Sequence, residues 1–182
     1  LDPEYLEACL IYARQGADIV YTDRYAFEEG QIPTDGILVH QHADWKEGTP
    51  VWTKHDPENF RFGSALPMTC MISKKWWKRM GGYDPEMPHA DTEFWYRSIL
   101  NGARTAYIPQ PLFWYRRHPL QESERKDMME EAMRAFHQKH FLAFGVLYDD
   151  AVQVGHHKVD VDVVVPEHRL LYLAEKRSGN VP

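Results

Sequence analysis

One stretch of the sequence, from Phe62 to Pro119, constrains the fold more than any other because its local patterns follow one another without a gap. An apolar run from Met68 to Ile72 predicts a buried strand, and Ser73 to Met80 predicts a short basic, aromatic helix. Gly81-Gly82 ends that helix, since glycine tolerates the positive φ of a helix C-terminus. A strand followed directly by a helix is typical of α/β domains.

The alternation continues after the two glycines. A turn at 83–85 leads into a loop, a helix is predicted from Asp91 to Asn101, and two short strands follow that are split by Pro109 and Pro111. Ionisable side chains fall at the ends of these elements, where side chains can converge on a site. They are Asp84, His89, Asp91, Arg116, Arg117 and His118.

The first sixty residues predict a helix and three strands. Pro3 to Gly16 has the apolar spacing of an amphipathic helix, with Asp2 as its N-cap. Ala17 to Tyr21 predicts a buried strand, and Thr22 to Phe27 with Gly36 to His42 predicts a hairpin. Pro57 to Phe62 predicts a helical turn. Strands mixed with helices and a hairpin indicate an α/β fold with a mixed sheet.

The last third of the chain predicts an extension made of a helix and a β-hairpin. A long charged helix is predicted from Glu122 to Phe144. Two strands, Val146 to Val154 and Lys158 to Val165, follow, and the second alternates polar and apolar residues over its first half. A terminal helix is predicted from Pro166 to Lys176.

Composition excludes some classes of protein. The formal net charge is -6, which argues against a general nucleic-acid binder because such a protein needs a basic footprint. No run of residues is long and apolar enough to span a membrane. Cys9 and Cys70 lie in apolar contexts and predict reduced, buried thiols of a cytosolic protein. The aromatic share of 13% includes six Trp, whose rings can fill a core or stack on sugars.

Several motifs in one order carry a resemblance to a known family. They are GGYD at 81–84, an acidic residue at the head of the helix at 91, YIPQPL at 107–112 and WYRRHP at 114–119. With these motifs the chain resembles the inverting family 2 glycosyltransferases, which have the GT-A fold. The resemblance covers residues 1–120 and implies a partial GT-A domain there, a Rossmann-like nucleotide-diphospho-sugar transferase fold, with residues 121–182 as the extension.

The first residues, LDPEYLE, resemble the stretch that follows the Asp-x-Asp motif in that family. The resemblance therefore implies that this chain is the C-terminal, acceptor-side portion of a glycosyltransferase and lacks the half with Asp-x-Asp. On this interpretation the chain alone is expected to be inactive.

By resemblance, Asp91 is the general base that takes the proton of the acceptor hydroxyl. The family often has Glu-Asp where this chain has Ala90-Asp91, so the first acid is lost and the base position is kept. The alternative is that Asp91 only caps the helix. Glu93 is the second choice for the base, although a shift of two positions changes the direction of a helical side chain.

The resemblance also implies a divalent metal, Mn²⁺ or Mg²⁺, in the full-length enzyme. His118 is expected to complete the shell of that metal, since imidazole suits Mn²⁺ better than Mg²⁺. Arg116 and Arg117 are expected to neutralise the diphosphate with bidentate hydrogen bonds. The alternatives are a surface histidine and solvated charges at a strand end, and one of two neighbouring arginines points away because strand neighbours face opposite ways.

The remaining site predictions concern the donor sugar and the acceptor. Gly81 and Gly82 are expected beside the donor sugar, with the plain helix C-cap as an equally good interpretation. The other predicted substrate-binding residues are Asp84, His89 and Trp95. The alternatives are that Asp84 caps its turn, that His89 is a loop residue without a role, and that Trp95 packs in the core. For the remaining tryptophans, Trp77 is predicted to pack in the core and Trp76 to be more exposed.

The sequence thus predicts an enzyme that transfers a sugar from a nucleotide-sugar donor to a carbohydrate or lipid-linked acceptor with inversion, as in cell-surface polysaccharide biosynthesis. The expected location is the cytoplasm, and peripheral association with the inner face of the membrane stays open. Nucleic acid is not an expected partner. The alternatives are a non-catalytic carbohydrate-binding or assembly module of the same fold and, less supported, a nucleotidyltransferase of similar architecture.

Overall fold

A computed structural model describes residues 1–32, 36–42, 51–60, 64–121 and 125–140. The chain divides into two compact units, Leu1–Lys126 and Asp127–Pro182. The predicted hairpin strands and terminal helix of the extension lie outside the described residues. Within the described residues, no helix is long and apolar enough to cross a membrane.

The first unit is α/β, as the sequence predicts, with a mixed sheet flanked by helices. The helices are α1 (Tyr5–Arg14), α2 (Lys74–Met80) and α3 (Ala90–Leu100), and a short 3-10 helix covers Pro57–Phe60. The strands are β1 (Ile19–Glu28), β2 (Ile37–Val39), β3 (Trp52–Thr53), β4 (Cys70–Ile72) and β5 (Thr105–Arg117).

The sheet is built around β1 and β5, which pair in parallel. Its order is β2-β1-β5-β3, and β4 also pairs with β1. The strands β2 and β4 run antiparallel to β1 along different parts of its length, and β3 runs antiparallel to β5. The predicted hairpin is confirmed, since Ala26 of β1 pairs with Ile37 of β2.

The predicted break between two strands at Pro109 and Pro111 is wrong, because β5 runs unbroken past both. The register shifts there: Thr22 pairs with Ile108, whereas Asp23 pairs with Pro111. A bulge of this kind leaves residues out of the hydrogen-bond ladder, so a proline without an N–H can be accommodated. The strand β1 is also continuous, whereas the sequence predicts two strands there; its register against β5 shifts on both sides of Asp23.

One face of the sheet is covered by α1, which forms an apolar core with it. Asp2 Oδ1 accepts a hydrogen bond from the N–H of Glu4 (2.9 Å), and the helix begins at Tyr5 with Glu4 rather than Asp2 at the N-cap. The buried residues of this core are Tyr5, Cys9, Ala17, Val20, Ala106, Ile108 and Leu112. Alternation along the strands directs Ile19, Tyr21 and Asp23 toward the other face.

Helices α2 and α3 pack against each other through their aromatic residues. Ser73 caps α2 by accepting from the N–H of Trp76 (3.4 Å). The indole of Trp76 is buried and donates to Ser98 Oγ (3.1 Å), whereas Trp77 is only partly buried against Phe94. The sequence-based order of exposure for these two tryptophans is therefore reversed, because the hydroxyl of Ser98 gives the buried indole N–H a partner.

The described part of the second unit is mainly α4 (Lys126–Lys139). This helix begins later than the predicted start at Glu122, and residues 141–144 lie outside the described residues. Its apolar stripe is shifted toward the C-terminus compared with the prediction, since Met128 and Met129 are only partly buried. The buried residues are Ala132, Met133, Phe136 and His137.

Candidate functional site

The Gly81-Gly82 turn ends α2 in the left-handed conformation that the sequence predicts. Gly81 has φ 78° and Gly82 has φ 75°, a region where a side chain is strained. At Gly82 a Cβ would also meet the ring of Trp77 at 3.1 Å, whereas nothing lies within 4 Å of a Cβ at Gly81. Close approach to an aromatic ring therefore explains the second glycine, and backbone conformation alone explains the first.

A single arginine ties this turn to the middle of α3. Arg97 Nη2 donates to the carbonyl of Gly82 (2.9 Å), and Nη1 donates to the carbonyl of Met80. The same guanidinium donates to the carboxylate of Glu93, with Nε to Oε1 at 3.1 Å and Nη2 to Oε2 at 2.9 Å. Because Glu93 is completely buried, this ion pair is shielded from solvent on its acidic side.

This pairing corrects the choice of Glu93 as the second candidate base. Its carboxylate has no exposed surface and accepts hydrogen bonds from Arg97. A base must reach the proton that it removes, and a completely buried, ion-paired carboxylate cannot meet that condition in this structure. Glu93 instead fixes Arg97, and through it the turn.

Asp91 lies in the first turn of α3 but does not cap it. The residue at the N-cap is His89, whose side chain makes no capping hydrogen bond. Asp91 is partly exposed, and a carboxylate in the first turn is stabilised by the helix N-terminus. The interpretation of Asp91 as a plain N-cap is therefore wrong, because the helix already begins at Ala90. Its role as a base stays a prediction.

His89 has a strained backbone two residues before this acid. Its φ is 53° and its ψ is 51°, and among the described residues it is the one residue other than glycine that has a positive φ. Such a conformation is uncommon outside glycine and is enriched at functional sites. The strain turns the chain sharply into α3 and so determines how Asp91 is presented at the start of that helix.

Tyr83 completes this region, although the sequence analysis assigned it no role. Its ring makes T-shaped contacts with Trp77 (4.7 Å between centroids) and Phe94 (5.4 Å). It nevertheless keeps 41% of its surface exposed. Burial of the phenol and, second, the charge of Asp91 raise the pKa of Tyr83. The sequence indicated a role for Tyr83 only through its place within the GGYD motif.

The other two residues predicted near the substrate have different positions. Asp84 Oδ1 accepts from the N–H of Glu86 (2.9 Å), so it caps its turn as predicted. Trp95 has no exposed surface. Its ring makes a T-shaped contact with Phe94 at 5.2 Å between centroids, and its Nε1 has no hydrogen-bond partner among the described residues. This burial confirms the predicted core packing of Trp95 and corrects the prediction that it contacts substrate directly.

The end of β5 carries the second predicted group. Arg116 pairs with Glu29 (3.4 Å) and Arg117 with Glu28 (3.3 Å), and all four side chains are largely exposed. His118 is partly buried, and its N–H donates to Gln121 Oε1 (3.1 Å). Exposed pairs of this kind contribute little to stability. The arginines are therefore available to exchange these carboxylates for another anion.

His118 also lines a cleft of about 350 Å³ together with Glu28, Arg117 and Pro119. Imidazole and carboxylate are both ligands that a divalent metal accepts. Across the described ranges, no group of three His, Cys, Asp or Glu side chains is arranged to hold a metal ion. The described residues thus supply part of a metal shell at most.

A buried polar cluster on the sheet was missed by the sequence analysis. Asp23 is completely buried, and its carboxylate accepts three hydrogen bonds. Tyr107 Oη donates to Oδ1 (2.6 Å), the N–H of Gln41 donates to Oδ1 (2.8 Å), and His40 Nδ1 donates to Oδ2 (2.8 Å). These bonds fasten the segment after β2 to both central strands.

The neighbouring side chain on β1 extends this cluster. The hydroxyl of Tyr21 shares hydrogen bonds with His42 Nδ1 (2.8 Å) and His55 Nε2 (3.2 Å). Burial and, second, the neighbouring His42 lower the pKa of His55 to about 4. His55, Thr53 and Thr105 also line a cleft of about 470 Å³. The sequence offered one indication of this cluster: Asp23 lies within a largely apolar strand, and a buried acid requires hydrogen-bond partners.

Comparison with known proteins adds no assignment. No protein-family model matches the chain. No curated protein is significantly similar to it. The family is therefore a proposal that depends on the motifs and on the geometry described above.

Proposed function

We propose that this chain forms the acceptor side of an inverting nucleotide-sugar glycosyltransferase of the GT-A type. The observation that carries the proposal is the position of Asp91: a partly exposed acid in the first turn of α3, two residues after the strained His89. Its charge acts on the phenol of Tyr83, a residue that is 41% exposed. Its neighbour Glu93 is buried and paired with Arg97. One acid is thus partly exposed, and the other is buried and ion-paired.

The chemistry follows from this division. Asp91 accepts the proton of an acceptor hydroxyl as its oxygen attacks the anomeric carbon of the donor. The new bond forms on the face opposite the leaving diphosphate, so the bond between the anomeric carbon and the diphosphate oxygen breaks in the same step. This single displacement inverts the configuration of the sugar.

The arginines at the end of β5 suit the departure of the diphosphate. Arg116 and Arg117 carry exposed guanidinium groups that can bind diphosphate oxygens. A bound divalent metal supplies charge stabilisation to a departing diphosphate. His118 and Glu28 are the residues of this cleft whose side chains suit such a metal.

The proposal is tested with the complete product of the gene that encodes this chain. The protein is incubated with UDP-, GDP- and dTDP-sugars, Mn²⁺ and a panel of carbohydrate acceptors, and nucleotide release is measured. The anomeric configuration of the product is then read by NMR. Metal-dependent release with inversion supports the proposal, whereas release with retention, or no release with any donor, contradicts it.

The alternative is a non-catalytic carbohydrate-binding module of the same fold. The exposed ring of Tyr83 favours it as much as it favours an enzyme. The two differ in what they require of Asp91: a binding module tolerates its replacement by Asn, because the amide still makes hydrogen bonds, whereas a transferase loses its base.

A further inference from the structure

The ring of Tyr83 is exposed and yet held from two sides. Trp77 and Phe94 contact it at interplanar angles of 78° and 87°. An exposed aromatic ring whose orientation is fixed offers a rigid surface, so a ligand that stacks on it costs little additional ordering.

The same ring lies at the end of α3 that carries Asp91. Asp91 and Phe94 are three residues apart, which places them on neighbouring parts of one helix face. Because Tyr83 packs against Phe94, its ring lies beside the half of α3 that carries Asp91. The influence of the Asp91 charge on the pKa of Tyr83, second to burial, agrees with this placement.

We propose that Tyr83 binds the acceptor, an uncharged sugar ring that stacks on the phenol with a hydroxyl directed at Asp91. This inference rests on the proposed function for the role of Asp91. Tyr83 is then a residue that determines which acceptors are used.

A hydrogen bond from Arg97 fixes the backbone next to Tyr83. Gly82 precedes Tyr83, and its carbonyl accepts a hydrogen bond from Arg97, which is itself held by the buried Glu93. The backbone entering Tyr83 is therefore fixed to α3, the same helix that presents Asp91. Arg97 acts as a positioning residue, since it contacts the turn and not the proposed acceptor.

Charge defines the chemical class of this acceptor. The charge of Asp91, which reaches the phenol of Tyr83, opposes an anionic group such as a phosphate there. A pyranose ring suits the region, because its C–H face packs on an aromatic ring and its hydroxyls donate to carboxylates.

The first experiment measures sugar binding by the chain itself. The chain is titrated by NMR with cellobiose, lactose, chitobiose and maltose, and the ring resonances of Tyr83 are followed. Tyr83→Ala is expected to weaken binding about tenfold, the loss of one aromatic contact. Tyr83→Phe should retain binding within about twofold, because it keeps the ring. The matched control is Trp52→Ala, which removes another exposed ring, 38% exposed, from a different element.

The outcomes are decisive for Tyr83. A sugar that shifts its ring resonances and loses affinity in Tyr83→Ala but not in Trp52→Ala supports the proposal. Equal affinities in all variants, or no response of the ring to any of the four sugars, overturn it.

The role of Arg97 is tested with Arg97→Lys, which keeps the charge and loses the forked contacts with the turn. The ring signals of Tyr83 should broaden and sugar affinity should fall, while the chain stays folded. Unchanged signals and affinity would overturn the positioning role.

A kinetic experiment separates this inference from the proposed function. In the complete gene product, Tyr83→Ala should raise the acceptor KM about tenfold and leave the donor KM unchanged. If Asp91→Asn abolishes transfer while Tyr83→Ala leaves the acceptor KM unchanged, the proposed function stands and this inference falls. If sugars bind at Tyr83 but no nucleotide sugar is consumed, the proposed function falls and the binding site stands.

Discussion

Arg97 and Gly82 are joined by a hydrogen bond of 2.9 Å, through which a side chain in the middle of α3 closes the turn at the end of α2. The arginine reaches this carbonyl while it pairs with the buried carboxylate of Glu93. Glu93, the buried acid of α3, therefore supports the turn, whereas Asp91 in the first turn of the same helix is partly exposed.

Replacement of this arginine should destabilise the chain strongly. Arg97→Ala removes the guanidinium that pairs with the buried carboxylate of Glu93, which costs about 3 kcal/mol or more of unfolding free energy. Arg134→Ala is the matched control, since Arg134 also pairs with an acid four residues earlier on a helix, but both side chains are about half exposed. Its cost should stay below about 0.5 kcal/mol. Urea denaturation of both variants measures the difference, and equal costs would contradict the structural role of the pair.

The two glycines of the turn should differ in their tolerance of a side chain. Gly81→Ala places a Cβ in open space at φ 78° and should cost about 1–2 kcal/mol from backbone strain alone. Gly82→Ala adds a contact of 3.1 Å with the ring of Trp77, which Tyr83 and Phe94 hold in place. An additional cost of about 1–3 kcal/mol is expected from overpacking. Thermal melts of the two variants compare them directly; a smaller loss in Gly82→Ala would mean that the ring moves freely.

Several elements were predictable because their causes are local. The positive φ of Gly81 and Gly82 follows from glycine at the end of a helix, and the cap by Ser73 follows from its position before α2. The continuous strand through Pro109 and Pro111 was not predictable, since only the bulged pairing with β1 shows how the ladder accommodates a missing N–H.

The cluster around Asp23 required tertiary structure. Its partners Tyr107 and His40 are distant in sequence and meet only through the parallel pairing of β1 with β5 and the hairpin with β2. The different surroundings of Asp91 and Glu93 were equally hidden, because a helical wheel gives the directions of the two side chains but not the residues that each one meets. Only the position of Arg97 in the structure shows that Glu93 is the paired acid.

Acidification should weaken the fold through His55. Its pKa in the folded chain is about 4, below the ordinary value of 6.5. The unfolded chain therefore binds more protons between these values, so stability is fully present above about pH 6.5 and falls as pH decreases toward about 4. The loss should not exceed about 3 kcal/mol. Urea midpoints measured across this range should fall more steeply in the native chain than in His55→Gln, and identical slopes would exclude His55 as the cause.

Removal of the predicted metal ligand should produce a defect that depends on metal. In the complete gene product, His118→Ala should raise the Mn²⁺ concentration that gives half-maximal activity about tenfold or more, and excess Mn²⁺ should partly restore turnover. The melting temperature of the chain should hardly change, because His118 lies at a strand end and is only partly buried. A defect insensitive to metal would point to direct contact with substrate, and a large fall in melting temperature would show that His118 is structural.

The most direct test of the central claim is the turnover of Asp91→Asn in the complete gene product, measured beside Asp127→Asn. Both residues are acids in the first turn of a helix, so the comparison removes any effect of the helix terminus. Asp91→Asn should lower turnover at least about a hundredfold, which is the low end for loss of a general base. Nucleotide-sugar binding should stay nearly intact in this variant, and Asp127→Asn should retain activity. Full turnover in Asp91→Asn, or the same loss in both variants, would contradict the assignment of Asp91 as the base.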